Sequence, residues 1–199
     1  MQKKKINDLK GMMTAMNLVV KQPNEEYRLI MLEEQHIQTF YQWNAEEKHY
    51  ECYTCRPVRK SQTLEEYSGK IQRAVYEQKD RIYVLVKADD NSIPLGKITL
   101  FDLNTRNHSA EFGYYLPEKS RGQGLGKIML SLFLDDVFKD EDLNLNKIYA
   151  TTASNNVPSI NLLEKFSFQL DGKLREHYWI GENKYDQLVF SLLKREWKE

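Results

Sequence analysis

The stretch Leu116–Lys127, LPEKSRGQGLGK, decides how the rest of the chain is read. It joins an alternating, β-rich run, Ser109–Leu116 (SAEFGYYL), to Leu125–Phe138, where Ile128, Met129, Leu132, Phe133 and Val137 recur at helical spacing. Gly122, Gly124 and Gly126 free the backbone to turn sharply with its N–H groups outward. Those amides, added to the positive end of the helix dipole, form a site for phosphate or pyrophosphate, with Arg121 and Lys127 adding charge at its rim. Spacing separates the readings of such a loop. A Walker loop needs a glycine where Arg121 stands and Ser or Thr where Ile128 stands. A dinucleotide fingerprint needs a third glycine at Met129 and an acidic residue closing the next strand, where Thr151 and Thr152 stand. What remains is R-x-x-G-x-G, carried by Arg121, Gly124 and Gly126.

Working outward, Arg81–Lys87 (RIYVLVK), a turn at 89–91 and Leu95–Phe101 (LGKITLF) form a hairpin signature, and Ser109–Leu116 adds a third antiparallel strand that Pro117 ends. Tyr27–Leu32 reads as a first strand and Lys147–Thr151 as a short buried one. Two closing strands fall near Gln169–Trp179 and Lys184–Leu193. Helices are predicted over Glu34–Trp43, over Ser61–Gln78 with a Thr63/Glu66 capping box, and over Pro158–Phe166. This order indicates an α/β or α+β layer structure around a mixed sheet.

The 199 residues suffice for one domain with a sizeable core. Hydrophobic residues at 41% and charged residues at 29% are those of an ordinary globular protein. Lys+Arg and Asp+Glu both count 29, and a net charge of zero argues against nucleic acid or an anionic membrane as partner. Lys3, Lys4 and Lys5 are followed by no long apolar core, so no signal peptide is read, and a cytoplasmic protein is expected. Residues 1–24 read as a loosely attached leader with Met12, Met13 or Met16 as alternative starts, and 25–199 as a single domain. His49, Cys52 and Cys55 form H-x-x-C-x-x-C, but no second CxxC completes a four-ligand zinc site, and no metal is expected.

The loop resembles the acyl-CoA-binding motif of the GCN5-related N-acetyltransferases, and the resemblance runs from about Tyr27 to Leu193. Within that family, RNHSAE at Arg106–Glu111 followed by FGYYL resembles the subgroup that acetylates the N-termini of ribosomal proteins. So do Tyr41-Gln42-Trp43-Asn44, Asn156–Phe168 (NVPSINLLEKFSF) and Asp171–Glu176 (DGKLRE). The resemblance implies a mixed, mostly antiparallel seven-stranded sheet with helices on both faces, splayed between its fourth and fifth strands. It implies acetyl-CoA as co-substrate. The pantetheine arm would pair with the backbone near Tyr114, Tyr115 and Leu116, and the pyrophosphate would sit on Arg121, Gly122, Gln123, Gly124, Leu125, Gly126 and Lys127. Asn156, Ser159, Asn161 and Lys165 would line its other side, and many relatives pair as dimers through the last strands.

An amine acceptor must lose a proton before attacking a thioester, and Glu111 is the candidate carboxylate, on one strand face with Gly113 and Tyr115. The backbone N–H near Tyr115 is the candidate oxyanion donor. Many family members place a tyrosine seven residues after the position of Asn156 to protonate the thiolate; here Leu163 stands there, which leaves Ser159, a water or an unassisted thiolate. Ser167 replaces a usual glycine, a change confined to a turn. The expected acceptor is a peptide N-terminus, with a polyamine, an aminoglycoside or an amino sugar as alternative, and non-catalytic acyl-CoA binding as the rival from another class. Trp43, Tyr50, Tyr53 and Tyr67 lie in or between the first two helices, which border the acceptor groove in this family, and they serve equally as core.

Overall fold

The computed structural model describes residues 26–48, 51, 54, 63–77 and 80–197. The leader, His49, Cys52, Cys55, Tyr50 and Tyr53 lie outside the described residues. Seven strands form one sheet: β1 Tyr27–Met31, β2 Arg81–Lys87, β3 Gly96–Asn104, β4 Ser109–Tyr115, β5 Lys147–Ala153, β6 Gln169–Ile180 and β7 Asn183–Leu193, in the order β1-β2-β3-β4-β5-β7-β6. Every neighbouring pair is antiparallel except β4–β5. Among the described residues four α-helices cover the sheet: α1 Ile37–Glu46, α2 Leu64–Tyr76, α3 Leu125–Lys139 and α4 Val157–Lys165.

The run RIYVLVK becomes β2 because both its faces are covered. Ile82, Val84 and Val86 pack under α1 and α2 with Phe40, Trp43 and Tyr67, whereas Tyr83 and Leu85 pack under α3 with Met129 and Phe133. A strand buried on two sides carries a continuous apolar run instead of an alternating one. Each fully buried Leu or Phe contributes about 1.5–3 kcal/mol to holding these layers together. The α2 start follows its capping sequence, with the Glu66 N–H donating to Thr63 Oγ1 at 3.1 Å.

Two local differences from the sequence reading have physical causes. β3 continues past Phe101 to Asn104 through a register shift at Asp102, whose φ is 51°. The Gly-rich loop begins with a 3₁₀ turn, Glu118–Ser120, before the backbone opens at Gly122.

The feature that positions the site is the end of the β4–β5 pairing. Ser109, Ala110 and Glu111 pair in parallel with Lys147, Ile148 and Tyr149, and beyond them the strands part. β5 instead stays paired with β7 along its whole length. The sheet is therefore splayed between its fourth and fifth strands, and the inner edges of Phe112–Tyr114 and Ala150–Ala153 do not pair with one another. No helix among the described residues is long and apolar enough to cross a membrane.

Candidate active site

A cavity of about 1100 Å³ runs from the Gly-rich loop through the splay to the face under α1. At its loop end, Gly122 and Gly124 take φ of +77° and +80°, a region side-chain-bearing residues rarely enter. Gly124 is the N-cap of α3 and brings no capping side chain; the Lys127 N–H bonds the Gly124 carbonyl at 3.0 Å, and the Leu125 and Gly126 amides ahead of it are left to a ligand. Beside this cradle, Lys165 lies against Lys127, whose ammonium pulls the Lys165 pKa down. Two cations pressed together at an uncapped helix N-terminus suit a polyphosphate, which relieves their repulsion.

Of the residues read from sequence, Tyr114, Tyr115, Leu116, Arg121, Gly122, Gly124, Gly126, Lys127, Asn156, Ser159 and Glu111 line this cavity. Gln123, Leu125, Asn161 and Lys165 stand outside its lining: Leu125 is buried in the core, Gln123 Nε2 donates to the Lys119 carbonyl, and Asn161 and Lys165 are exposed on α4. Arg121 is not an unpaired rim charge. Its Nη2 donates to Glu47 Oε2 at 2.9 Å and its Nε to the Leu116 carbonyl at 2.9 Å. The same Glu47 oxygen accepts from the Tyr115 hydroxyl at 3.0 Å, so a buried carboxylate just beyond α1 ties the loop to β4.

Glu111 is buried, 8% exposed, at the last pair before the strands part. Thr151 Oγ1, on the facing strand, donates to its Oε1 at 3.0 Å. Phe101 is its cross-strand neighbour on β3, and the Glu111, Gly113 and Tyr115 side of β4 faces α1. A carboxylate held this way sits at the mouth of the gap with one face committed to a neutral donor.

On the opposite side of β4, the Tyr114 hydroxyl donates to Ser159 Oγ at 2.9 Å. Burial pushes the Tyr114 phenol up, and the Ser159 bond pulls it back. Ser159 lies in the first turn of α4, where its N–H meets Asn156 Oδ1 at 3.4 Å. Leu163 is fully buried in the main core, so no acid stands at that position.

Sequence reasoning missed four contributors. Thr151, Glu47 and the Tyr114 side chain join the site through contacts 40 to 74 residues apart in sequence. Lys97 of β3 was readable in principle, because strand alternation sets it with Thr99 and Phe101 on the face opposite Ile98 and Leu100.

The family model described as acetyltransferase (GNAT) domain matches residues 27–169, and the chain belongs to that family. It is 36% identical over 120 residues to the uncharacterized N-acetyltransferase p20 of Bacillus licheniformis, covering 60% of this chain and 65% of that protein. YdaF of Bacillus subtilis, which bears the provisional name of ribosomal N-acetyltransferase, is 31% identical over 103 residues, 52% of this chain and 55% of that protein. Among solved structures, spermidine N-acetyltransferase from Vibrio cholerae in complex with CoA and spermine superposes with a TM-score of 0.76 at 23% identity, covering 87% of this chain and 98% of that one. The fold is thus that of a GNAT acetyltransferase. The chain spans about two thirds or less of the length of the curated relatives named here.

Proposed function

We propose that the protein transfers the acetyl group of acetyl-CoA directly to a primary amine, with Glu111 as the proton acceptor. The observation that carries this reading is the continuous cavity joining the uncapped α3 N-terminus to a buried carboxylate at the point where β4 and β5 part. The loop amides and the Lys127/Lys165 pair would hold the phosphates, and the unpaired β4 backbone would receive the pantetheine amides. Glu111, directly or through a water, takes the proton of the entering ammonium. The amine nitrogen then bonds to the thioester carbonyl carbon, the Tyr115 N–H steadies the oxyanion, and the C–S bond breaks. The nitrogen sheds its second proton to solvent as the amide forms, and the Tyr114–Ser159 hydroxyl pair would return a proton to the thiolate.

A peptide N-terminus is the acceptor we favour, on the ribosomal-type motifs from RNHSAE to DGKLRE and the similarity to YdaF. A small polyamine is the second reading, on the likeness to the spermidine enzyme. The exposed Leu170, Leu174 and Trp179 on the edge strand β6 offer a surface for pairing two copies.

The test is CoA release from acetyl-CoA across peptides with free N-termini, polyamines, aminoglycosides and amino sugars, for wild type and Glu111→Gln. Turnover with one class and a loss of about 10²–10⁴-fold in kcat for Glu111→Gln, with acetyl-CoA affinity kept, is expected. Full activity of Glu111→Gln at neutral pH removes Glu111 from the mechanism. Acetyl-CoA binding without turnover on any acceptor leaves a non-catalytic acyl-CoA binder.

A further inference from the structure

Lys97 is a cation that neither the fold nor the proposed chemistry uses. It lies directly across from Tyr115 on the β4 face that also carries Glu111, and it lines the cavity. Its Nζ stands 5.0 Å from the centre of the Phe40 ring, and among the described residues no carboxylate pairs with it. Phe40 and Tyr115 are its neighbours, and desolvation there pushes its pKa down to about 8. The other charged groups lining the cavity are differently engaged: Arg121 is held by Glu47, Glu111 takes the Thr151 hydroxyl, and Lys127 faces Lys165 at the loop end. The acceptor side therefore presents one half-buried positive charge that no carboxylate among the described residues pairs, with an aromatic face beside it. A desolvated ammonium without a counter-ion is costly unless a ligand supplies the missing anion.

We propose that Lys97 selects the acceptor, receiving the carboxylate of an acidic residue at the second or third position of a peptide whose N-terminal amine is acetylated, and that it turns away polyamines. The proposal rests on the acetyl-transfer reading for the place of the amine. Lys97 on β3 stands one strand spacing, about 4.8 Å, from Tyr115, whereas the carbonyl held by the Tyr115 N–H lies on the opposite edge of β4, toward β5, so the Lys97 backbone and the reacting amine are about two strand spacings, roughly 10 Å, apart. A carboxylate delivered to Lys97 by an acceptor whose amine is at that carbonyl therefore suits a short peptide better than a single amino acid. A polyamine would bring further positive charge against an ammonium already short of solvent, which is repulsive at low dielectric.

The experiment compares wild type, Lys97→Met and Lys97→Glu on four acceptors. These are a peptide with glutamate at its second position, the same peptide with glutamine there, free glutamate and spermidine. Wild type should prefer the glutamate peptide over the glutamine peptide by about tenfold or more in kcat/KM, the worth of a charge-assisted bond. Lys97→Met should bring that ratio to about one, chiefly through KM, and Lys97→Glu should raise spermidine turnover above wild type. Lys97→Met should not lower the melting temperature, since it replaces a desolvated cation by a similar apolar chain, so loss of preference is not loss of fold. A wild-type enzyme indifferent to the glutamate, or one preferring spermidine or free glutamate, overturns the proposal, as does acetylation of Lys97 itself seen by mass spectrometry. If no acceptor is turned over, the acetyl-transfer reading fails separately. Titration calorimetry of the two peptides into the CoA-saturated protein then decides Lys97: tighter binding of the glutamate peptide, lost in Lys97→Met, upholds it, and equal affinities refute it.

Discussion

The two ends of the cavity are made of different materials. At the loop end the ligand-facing groups belong to the backbone, presented by Gly122 and Gly124 at positive φ and by the uncapped first turn of α3. At the acceptor end they are side chains brought from α1, β3, β4 and β5: Phe40, Lys97, Glu111 and Thr151. A backbone cradle depends on a short run of sequence and accepts almost any residue between its glycines. A side-chain wall depends on the packing of distant elements and changes with each substitution. One end is therefore suited to a constant co-substrate and the other to an acceptor that varies between relatives.

The sharpest way to break this contrast is Gly124→Val. A β-branched residue cannot adopt φ +80° without strain of at least about 1–2 kcal/mol, and a Cβ at this position meets no atom within 4 Å, so the effect is conformational and not a clash. Converted at about 1.4 kcal/mol per decade, acetyl-CoA affinity should weaken by about tenfold or more. Selectivity among acceptors should stay as in wild type. A binding titration that shows unchanged acetyl-CoA affinity would mean that the backbone conformation of the loop is not what holds the phosphates.

Glu47→Gln examines a strut that crosses between the ends. Glu47 is buried, 7% exposed, and it accepts from both Tyr115 and Arg121. Removing its charge leaves the Arg121 guanidinium without its partner, although that side chain is 39% exposed and water repays part of the loss. A destabilisation of about 1–2 kcal/mol is expected, a fall of roughly 2–8 °C in melting temperature for a chain of this size. Because the strut anchors the segment after α1, KM for the acceptor should rise more than KM for acetyl-CoA. An equal rise in both would show that the two ends are set together by this contact.

The same division explains how far the sequence could be read. RIYVLVK declared a strand, and Thr63 with Glu66 marked a helix start, because period and capping are local properties. The Gly-rich loop was legible for the same reason. The parting of β4 from β5 came only through the family resemblance, since nothing within SAEFGYYL or KIYATTA states that pairing stops after Glu111 and Tyr149. Arg121 read as a charge at the rim of the loop, and its partner Glu47, 74 residues away, lies beyond any local reading. Lys97 drew no reading of its own within LGKITLF, since its place beside Phe40 of α1 is set by packing between distant elements. β3 outran its predicted end because the bulge at Asp102 let the ladder resume.

The smallest effect expected falls outside both ends, at the far terminus of α4. Ser167 has φ +63° and closes the helix in a left-handed turn: its N–H donates to the Glu164 carbonyl at 2.9 Å, and the Phe168 N–H reaches the Leu163 carbonyl at 3.1 Å. Glycine fits this geometry without the Cβ penalty, which accounts for its usual presence in the family. Ser167→Gly relieves about 1–2 kcal/mol of left-handed strain, and the greater freedom of glycine in the unfolded chain takes back about 0.5–1 kcal/mol. The net is a stabilisation of about 0.5–1 kcal/mol, seen as a rise of roughly 1–4 °C in melting temperature. The near end of α4, with Asn156 and Ser159, lines the cavity, whereas Ser167 does not. Acetyl-CoA affinity and turnover should therefore remain at wild-type values. A change in either, with the melting temperature raised as expected, would mean that α4 transmits the geometry of its C-terminal turn to Ser159, and the loop end would then depend on packing as much as the acceptor end does.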